Sequence, residues 1–268
     1  MKKFFAPIVL LLLSLSAFAQ QSSKPIQDNS FLLEEAYNQE QGVIQHINAF
    51  QRLRGGNWIY TFTEEWPVKT QRHQLSVTLP VQRIDSNRGL GDIALNYRYQ
   101  LVGSGETRVA IAPRASLLFP TGDEKKDLGA GGVGLQFNLP ISAVIHPRIV
   151  THINAGTTIT PSAKNAEGVK DNKADFNLGQ SFIWLAHQNF NVMFETAWNS
   201  FESIERRGVK TRASSLFINP GFRWAHNFRS GLQIVPGIAF PIGVSSSSGE
   251  RGVFFYLSFE HPITKQGN

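Results

Sequence analysis

The chain contains no cysteine. A disulfide framework, thiol chemistry and a lipid anchor on cysteine are therefore excluded. Charge is scarce as well: Asp, Glu, Lys and Arg make up 17% of the residues, against about a quarter in ordinary soluble domains. That shortfall suits a protein whose outer belt cannot carry charge. Beyond the first twenty or so residues, no stretch approaches the ~18 apolar residues of a membrane-spanning helix. The formal charge of +6 includes Lys2 and Lys3, and the rest is dispersed without a dense Lys/Arg block. Nucleic-acid binding thus has no footing. The seven histidines show no H-x-H or H-E-x-x-H spacing, and Lys125 and Lys126 interrupt the acidic group Asp123, Glu124 and Asp127. A glycine-rich phosphate loop is missing, because Gly129, Gly131, Gly132 and Gly134 lead into a strand. No metal, cofactor or energy source is called for.

The N-terminus begins Met1-Lys2-Lys3, continues through an apolar run from Ile8 to Leu13, and reaches Ala17-Phe18-Ala19. A basic start, a short apolar core and an A-x-A site predict a signal peptide over residues 1–19 and hence export. Residues 20–41 form a periplasmic lead-in segment. Within it, residues 31–40 read as about two helical turns, with Ser30 as N-cap and Glu34 and Glu35 in the first turn. Such a segment sits at the rim or tucks into a lumen, as a plug or as a lead-in tied to the wall.

Residues 42–268 read as one all-β domain. The pattern is clearest in residues 88–122. There Ile93, Leu95, Tyr97, Tyr99 and Leu101 alternate with Asp92, Ala94, Asn96, Arg98 and Gln100. After the turn Gly103-Ser104-Gly105, Val109, Ile111, Leu117 and Phe119 alternate with Arg108, Ala110, Arg114 and Ser116. Period-two alternation gives one apolar face and one polar or small face. Each arm has about the 9–11 residues of a tilted membrane-spanning strand. Twelve such segments follow from Gly42, near residues 42–52, 57–66, 71–82, 90–102, 106–119, 130–143, 147–160, 174–186, 189–200, 211–225, 230–242 and 251–262. Connections after even segments are short. Those after odd segments are longer and polar, at 84–89, 121–129, 161–173, 201–210 and 243–250; the first, near Gly55 and Gly56, is the exception. Short periplasmic turns, longer outer loops and an even strand number predict a transmembrane antiparallel up-and-down β-barrel in the cell outer membrane, with both termini periplasmic.

Aromatic residues near segment ends, among them Trp58, Trp66, Tyr97, Phe119, Trp184, Trp198 and Trp224, fit interfacial girdles. Arginine on a lipid-facing strand costs about 2–4 kcal/mol at mid-bilayer, so Arg98, Arg108, Arg114 and Arg223 are expected to face inward. Asp92, Asp175, Glu195 and Glu260 join them. The candidate lining of a transport lumen is Asp92, Asn96, Arg98, Arg114, Gln136 and Asn138, with His152, Asn154, Glu195, Asn219 and Arg223 across from them. Such a lining either holds the lumen together or selects solutes by charge and hydrogen bonding. Twelve strands lie between the filled interior of about eight and the open channel of about sixteen. The expected partners are outer-membrane lipid, the outer-membrane assembly machinery and a small-molecule solute.

Four stretches carry a family resemblance. They are Phe31-Leu32-Leu33-Glu34-Glu35-Ala36-Tyr37-Asn38-Gln39-Glu40, Phe62-Thr63-Glu64-Glu65-Trp66-Pro67, Gly89-Leu90-Gly91-Asp92-Ile93 and Phe119-Pro120-Thr121-Gly122. Together they resemble the outer-membrane transporter family named for the meta-pathway of phenol degradation, over most of the mature chain. The resemblance implies a barrel channel for passive uptake of small organic solutes, aromatic or hydrophobic ones among them. It supplies no catalytic residues. One departure is the tail: outer-membrane barrels often end on an aromatic residue, whereas here Thr264-Lys265-Gln266-Gly267-Asn268 follows the last strand.

Two other classes compete. A barrel-embedded lipid or ester hydrolase would use His152 with Asn154, on one face of a strand, and Ser181 or Ser215 approaching in space. A structural or surface-interaction protein would work through its outer loops, which are polar, mixed in charge and mostly short.

Overall fold

The computed structural model describes residue 26 and residues 30–262. The expected signal peptide over residues 1–19 and the tail beyond Pro262 lie outside the described residues. Sixteen hydrogen-bonded segments make up twelve antiparallel strands, because four strands are interrupted. These are β1 (Val43–Leu53), β2 (Trp58–Val68), β3 (Thr70–Ile84), β4 (Asn87–Leu90 and Ile93–Tyr99) and β5 (Val109–Ile111 and Arg114–Phe119). They continue as β6 (Gly134–His146), β7 (Ile149–Lys164), β8 (Lys170–His187) and β9 (Phe190–Arg206). The last are β10 (Val209–Trp224 and His226–Asn227), β11 (Gln233–Ala239 and Ile242–Gly243) and β12 (Gly252–Pro262). Each strand pairs with its neighbours in sequence. β12 returns to β1 in unbroken register from Val43↔Pro262 to Leu53↔Gly252. The sheet is therefore a closed barrel, which leaves no strand edge unpaired.

Alternation sorts the side chains. On β6, Leu135, Phe137 and Leu139 are exposed on the outside, while Asn138 and Ser142 are buried on the inside. On β8, Phe176, Leu178, Phe182 and Trp184 face out, and Ser181 and Ile183 face in. From Phe176 to Trp184 the strand climbs ~3.3 Å per residue, which at a tilt of ~40° is a belt ~20 Å high. A continuous exposed apolar belt of that height matches the lipid-facing band of a membrane barrel.

Three of the expected long connections are mostly strand. β7 runs to Lys164 and β8 starts at Lys170, so the loop expected at 161–173 shrinks to a short turn. β9 and β10 meet at a turn through Arg207 and Gly208, where Gly208 takes a positive φ of 74°. β3 and β4 reverse at Asp85-Ser86 rather than over 84–89. Above the apolar belt both faces of a strand meet water, so the period-two signal fades although the hydrogen-bond ladder continues. Ion pairs hold these projecting strands: Arg212 and Lys210 with Glu202, and Lys173 with Asp175. Residues 120–133, which include a short 3₁₀ turn at Glu124–Lys126, and residues 244–251 remain as long loops. The neighbouring carboxylates of β2 also separate. Glu65 is buried in the lumen, and Glu64 points outward beside His46.

Candidate functional site: the lumen and its strap

Residues 31–39 contain no helix. They cross the lumen as an extended strap, and the reason lies in its hydrogen bonds. The N–H groups of Phe31 and Leu32 donate to Glu195, that of Glu34 to Asn154, that of Ala36 to Ser142, that of Asn38 to Gln100 and that of Gln39 to Gln74. The carbonyls are met in the same way: Asn154 donates to Glu34, Arg98 to Glu35 and Tyr37, and Gln100 to Ala36. A helix would have met these groups internally. Here side chains of the wall do so, which satisfies the pairing that buried backbone requires. The strap is an arch. Its lower end joins β1 at the short-turn end of the barrel, its apex is Leu32, Leu33 and Glu34, and Phe31 lies against β10, β11 and β12.

The Phe31 ring fills a pocket made by small residues. A Cβ on Gly237 would lie 2.7 Å from the ring, and one on Gly221 would lie 2.7 Å from it too. Phe254 and Tyr256 close the pocket, with ring centroids at 5.6 and 6.1 Å. Gly179 makes the same allowance for Leu33, whose Cδ2 would be 2.3 Å from an added Cβ. Glycine at 179 and 237 is thus explained by close approach of the strap, and at 221 by the strap together with Ala239 and the Ile238 carbonyl of the next strand.

The expected lining residues fall into three groups. The first binds the strap directly. Arg98 is buried and donates to Asn38 Oδ1 at 2.8 Å as well as to the two carbonyls, with Glu65 at 3.8 Å. Glu195 accepts the Phe31 N–H at 2.9 Å and Asn219 Nδ2 at 2.6 Å. Arg114 grips Glu34 at 2.7–3.0 Å and also reaches Gln136, Asn96 and Ser116. Asn138 bridges Glu34 and Asn154. The second group extends the inner wall: Gln136 donates to Thr158, and buried Arg223 lies opposite Gly237 in register. The third group lies at the two mouths of the barrel. Asp92 accepts from Gly122 N at 3.0 Å and Ala130 N at 2.7 Å, which fastens the long 120–133 loop. Arg108, also expected inward, is exposed at the short-turn mouth and donates to the Val144 carbonyl.

Burial pushes the Glu34 carboxyl upward. The charge and hydrogen bonds of Arg114 outweigh it, with Arg98 and Asn138 adding to them, and hold the group below the ordinary carboxylate value. Burial also raises the Tyr37 phenol to about 12.

Space remains on both sides of the arch. A cavity of about 460 Å³ lies on one side, lined by Leu33, Glu34, Arg114, Asn138, Asn154, Asn177 and Phe217 among others. A second, of about 300 Å³, is bounded by Thr61, Thr63, Ser76, Thr78 and Asn96 together with the strap. Amides, a fixed ion pair and apolar surface thus converge on volumes of small-molecule size.

Two serines stand opposite His152 on the neighbouring strands, Ser181 on β8 and Ser142 on β6, and it is Ser142 whose Oγ lies 2.7 Å from Nδ1. Ser215 pairs with Asn199 instead. Ser142 Oγ already accepts the Ala36 N–H, and both residues are buried under the strap with the Tyr37 ring against His152. The pair supports the strap and has no face open to a substrate. Sequence reasoning missed Glu34, Gln74, Gln100 and Ser142 as lumen contacts. All but Glu34 lie on inward positions of alternating strands, and Glu34 is an acid near the inward arginines that need one.

No protein-family model matches the chain, and no curated protein matches it in sequence. Its fold has counterparts among solved structures. An outer membrane channel from Pseudomonas putida F1 aligns with a TM-score of 0.59 at 11% identity, over 84% of this chain and 97% of that one. The NanC porin aligns with a TM-score of 0.51 at 9% identity, over 81% and 98%. The chain therefore has the closed barrel fold seen in outer-membrane channels.

Proposed function

We propose that the protein is a passive outer-membrane channel for small organic solutes, narrowed by its own N-terminal strap. The observation that carries this reading is the pair of cavities with polar groups in their walls on either side of a strap held chiefly by side chains. A barrel built only as a wall would fill this space with packed side chains, as about eight-stranded barrels do. In this reading the short-turn end faces the periplasm, as do both termini, and the belt faces outer-membrane lipid after insertion by the assembly machinery. A solute enters from the long-loop end and exchanges hydration for the amides of Asn138, Asn154 and Asn177. It meets apolar contact from Leu33 and Phe217, and moves down its gradient without an energy source. The resemblance to the phenol meta-pathway transporters favours aromatic or hydrophobic solutes bearing a polar group.

Liposome swelling with solutes of increasing size tests the proposal. Swelling is expected for small solutes and should fall off within a narrow size range, with rates altered by Arg114→Ala. Folded protein that leaves swelling at the rate of empty liposomes for every solute would refute a passive channel.

A further inference from the structure

We propose that His46 and His261 form a binding site for a divalent transition-metal ion of the zinc type, placed across the seam where the barrel closes. His46 is on β1 and His261 on β12, the first and last strands. They are diagonal neighbours near the short-turn end, with Ile44↔His261 and His46↔Phe259 in register. Both point outward, away from the lumen, so the site does not depend on the channel reading.

The geometry is that of a ligand pair. The two Nε2 atoms face each other at 3.1 Å. A metal bound at ~2.0–2.1 Å from each imidazole, with an angle between square and tetrahedral, separates its donors by about 2.9–3.4 Å. The apo pair already has that spacing. Glu64 Oε2 lies 3.5 Å from His46 Nδ1. A carboxylate on that side favours the tautomer with the proton on Nδ1 and the Nε2 lone pair toward His261, whose Nε2–H occupies the metal's place in the apo pair. The same carboxylate–histidine arrangement orients metal-bound histidines. Phe62 stacks on the His46 ring with 13° between planes, and the two imidazoles lie 27° apart. The pair is not sealed off: His46 is 28% exposed, Glu64 40%, and His261 is half-buried, which leaves room for water in the remaining coordination positions. Imidazole nitrogen selects zinc, copper or nickel over magnesium or calcium.

A metal here ties β1 to β12 at the point where the ladder ends and fraying begins. It binds the closed barrel and not the unfolded chain, so it stabilises closure.

The test is a titration of the detergent-folded, full-length mature protein with zinc chloride, followed by calorimetry and, with cobalt, by visible absorption. One ion per chain is expected. His46→Ala and His261→Ala should each weaken binding at least tenfold, whereas His187→Ala should leave it unchanged. Glu64→Gln preserves both ligands and should weaken binding about tenfold. Zinc should raise the temperature at which the folded barrel loses its fast mobility in detergent gels, and EDTA should reverse the shift. Absence of stoichiometric binding, or binding that survives loss of either histidine in a folded barrel, would overturn the proposal.

Discussion

Replacing Gly237 by alanine places a methyl group where the Phe31 ring now lies. The added Cβ would be 2.7 Å from Cε1 and 3.1 Å from Cζ, and no wall backbone comes as close. Overpacking of this kind costs about 1–3 kcal/mol, and the movable partner is the strap. Opening of its first limb should therefore become roughly 5- to 150-fold more frequent. Phe31→Ala removes a nearly buried ring, for which core truncations cost about 3–5 kcal/mol. Strap release should rise further, although Glu195 still holds the Phe31 and Leu32 amides. The informative variant combines the two. Without the ring, the Gly237 methyl meets nothing from the strap, so the double mutant should behave like Phe31→Ala, with a coupling of about 1–3 kcal/mol. Hydrogen exchange at the amides of Phe31 and Leu32, in the folded barrel, reads the opening directly. Wild-type protection in Gly237→Ala, or strictly additive effects in the double mutant, would refute the pocket.

Other consequences follow from the same contacts. Arg98→Ala leaves Glu65 without its nearby cation and removes three strap contacts, and breaking such a buried group should cost about 3–5 kcal/mol in thermal unfolding of the strap-docked state. Arg98→Lys should not restore it, because a single ammonium cannot span the same fork. Glu34 has a depressed folded pKa, so its contribution is present above the ordinary glutamate value and is lost as pH falls through the lower folded value. The apex should stay docked from neutral pH to below the usual carboxylate range, then loosen, and Glu34→Gln should abolish that acid transition in exchange measurements. Asp92→Ala should free the 120–133 loop to proteolysis while leaving strap exchange unchanged, since its two bonds go to Gly122 and Ala130.

The barrel itself was legible because its outer wall must be apolar and its inner wall must not. Leu135, Phe137 and Leu139 against Gln136 and Asn138 read correctly from alternation alone. Legibility stopped at the edge of the belt. The extensions of β7 through β10 have two wet faces, so residues such as Lys164, Lys170 and Arg206 gave no strand signal. Within the lumen, Asn96, Arg98, Arg114 and Glu195 could be placed on inward positions from sequence, but their partners could not. The strap read as a helix because Ser30, Glu34 and Glu35 satisfy capping rules. Those rules concern a segment in water, whereas this one lies among side chains that compete for its backbone. The glycines at 179, 221 and 237 carried no visible meaning until Leu33 and Phe31 were found against them.

Single-channel conductance in planar bilayers, for the mature protein and for a variant lacking residues 30–39, addresses the channel and its strap together. Deletion removes the arch but none of the twelve strands, and folding can be verified by heat-dependent gel mobility. Small or rare steps are expected from the intact protein, and larger, stable steps from the deletion variant. Silent bilayers from both proteins, each shown to be folded, would contradict the account.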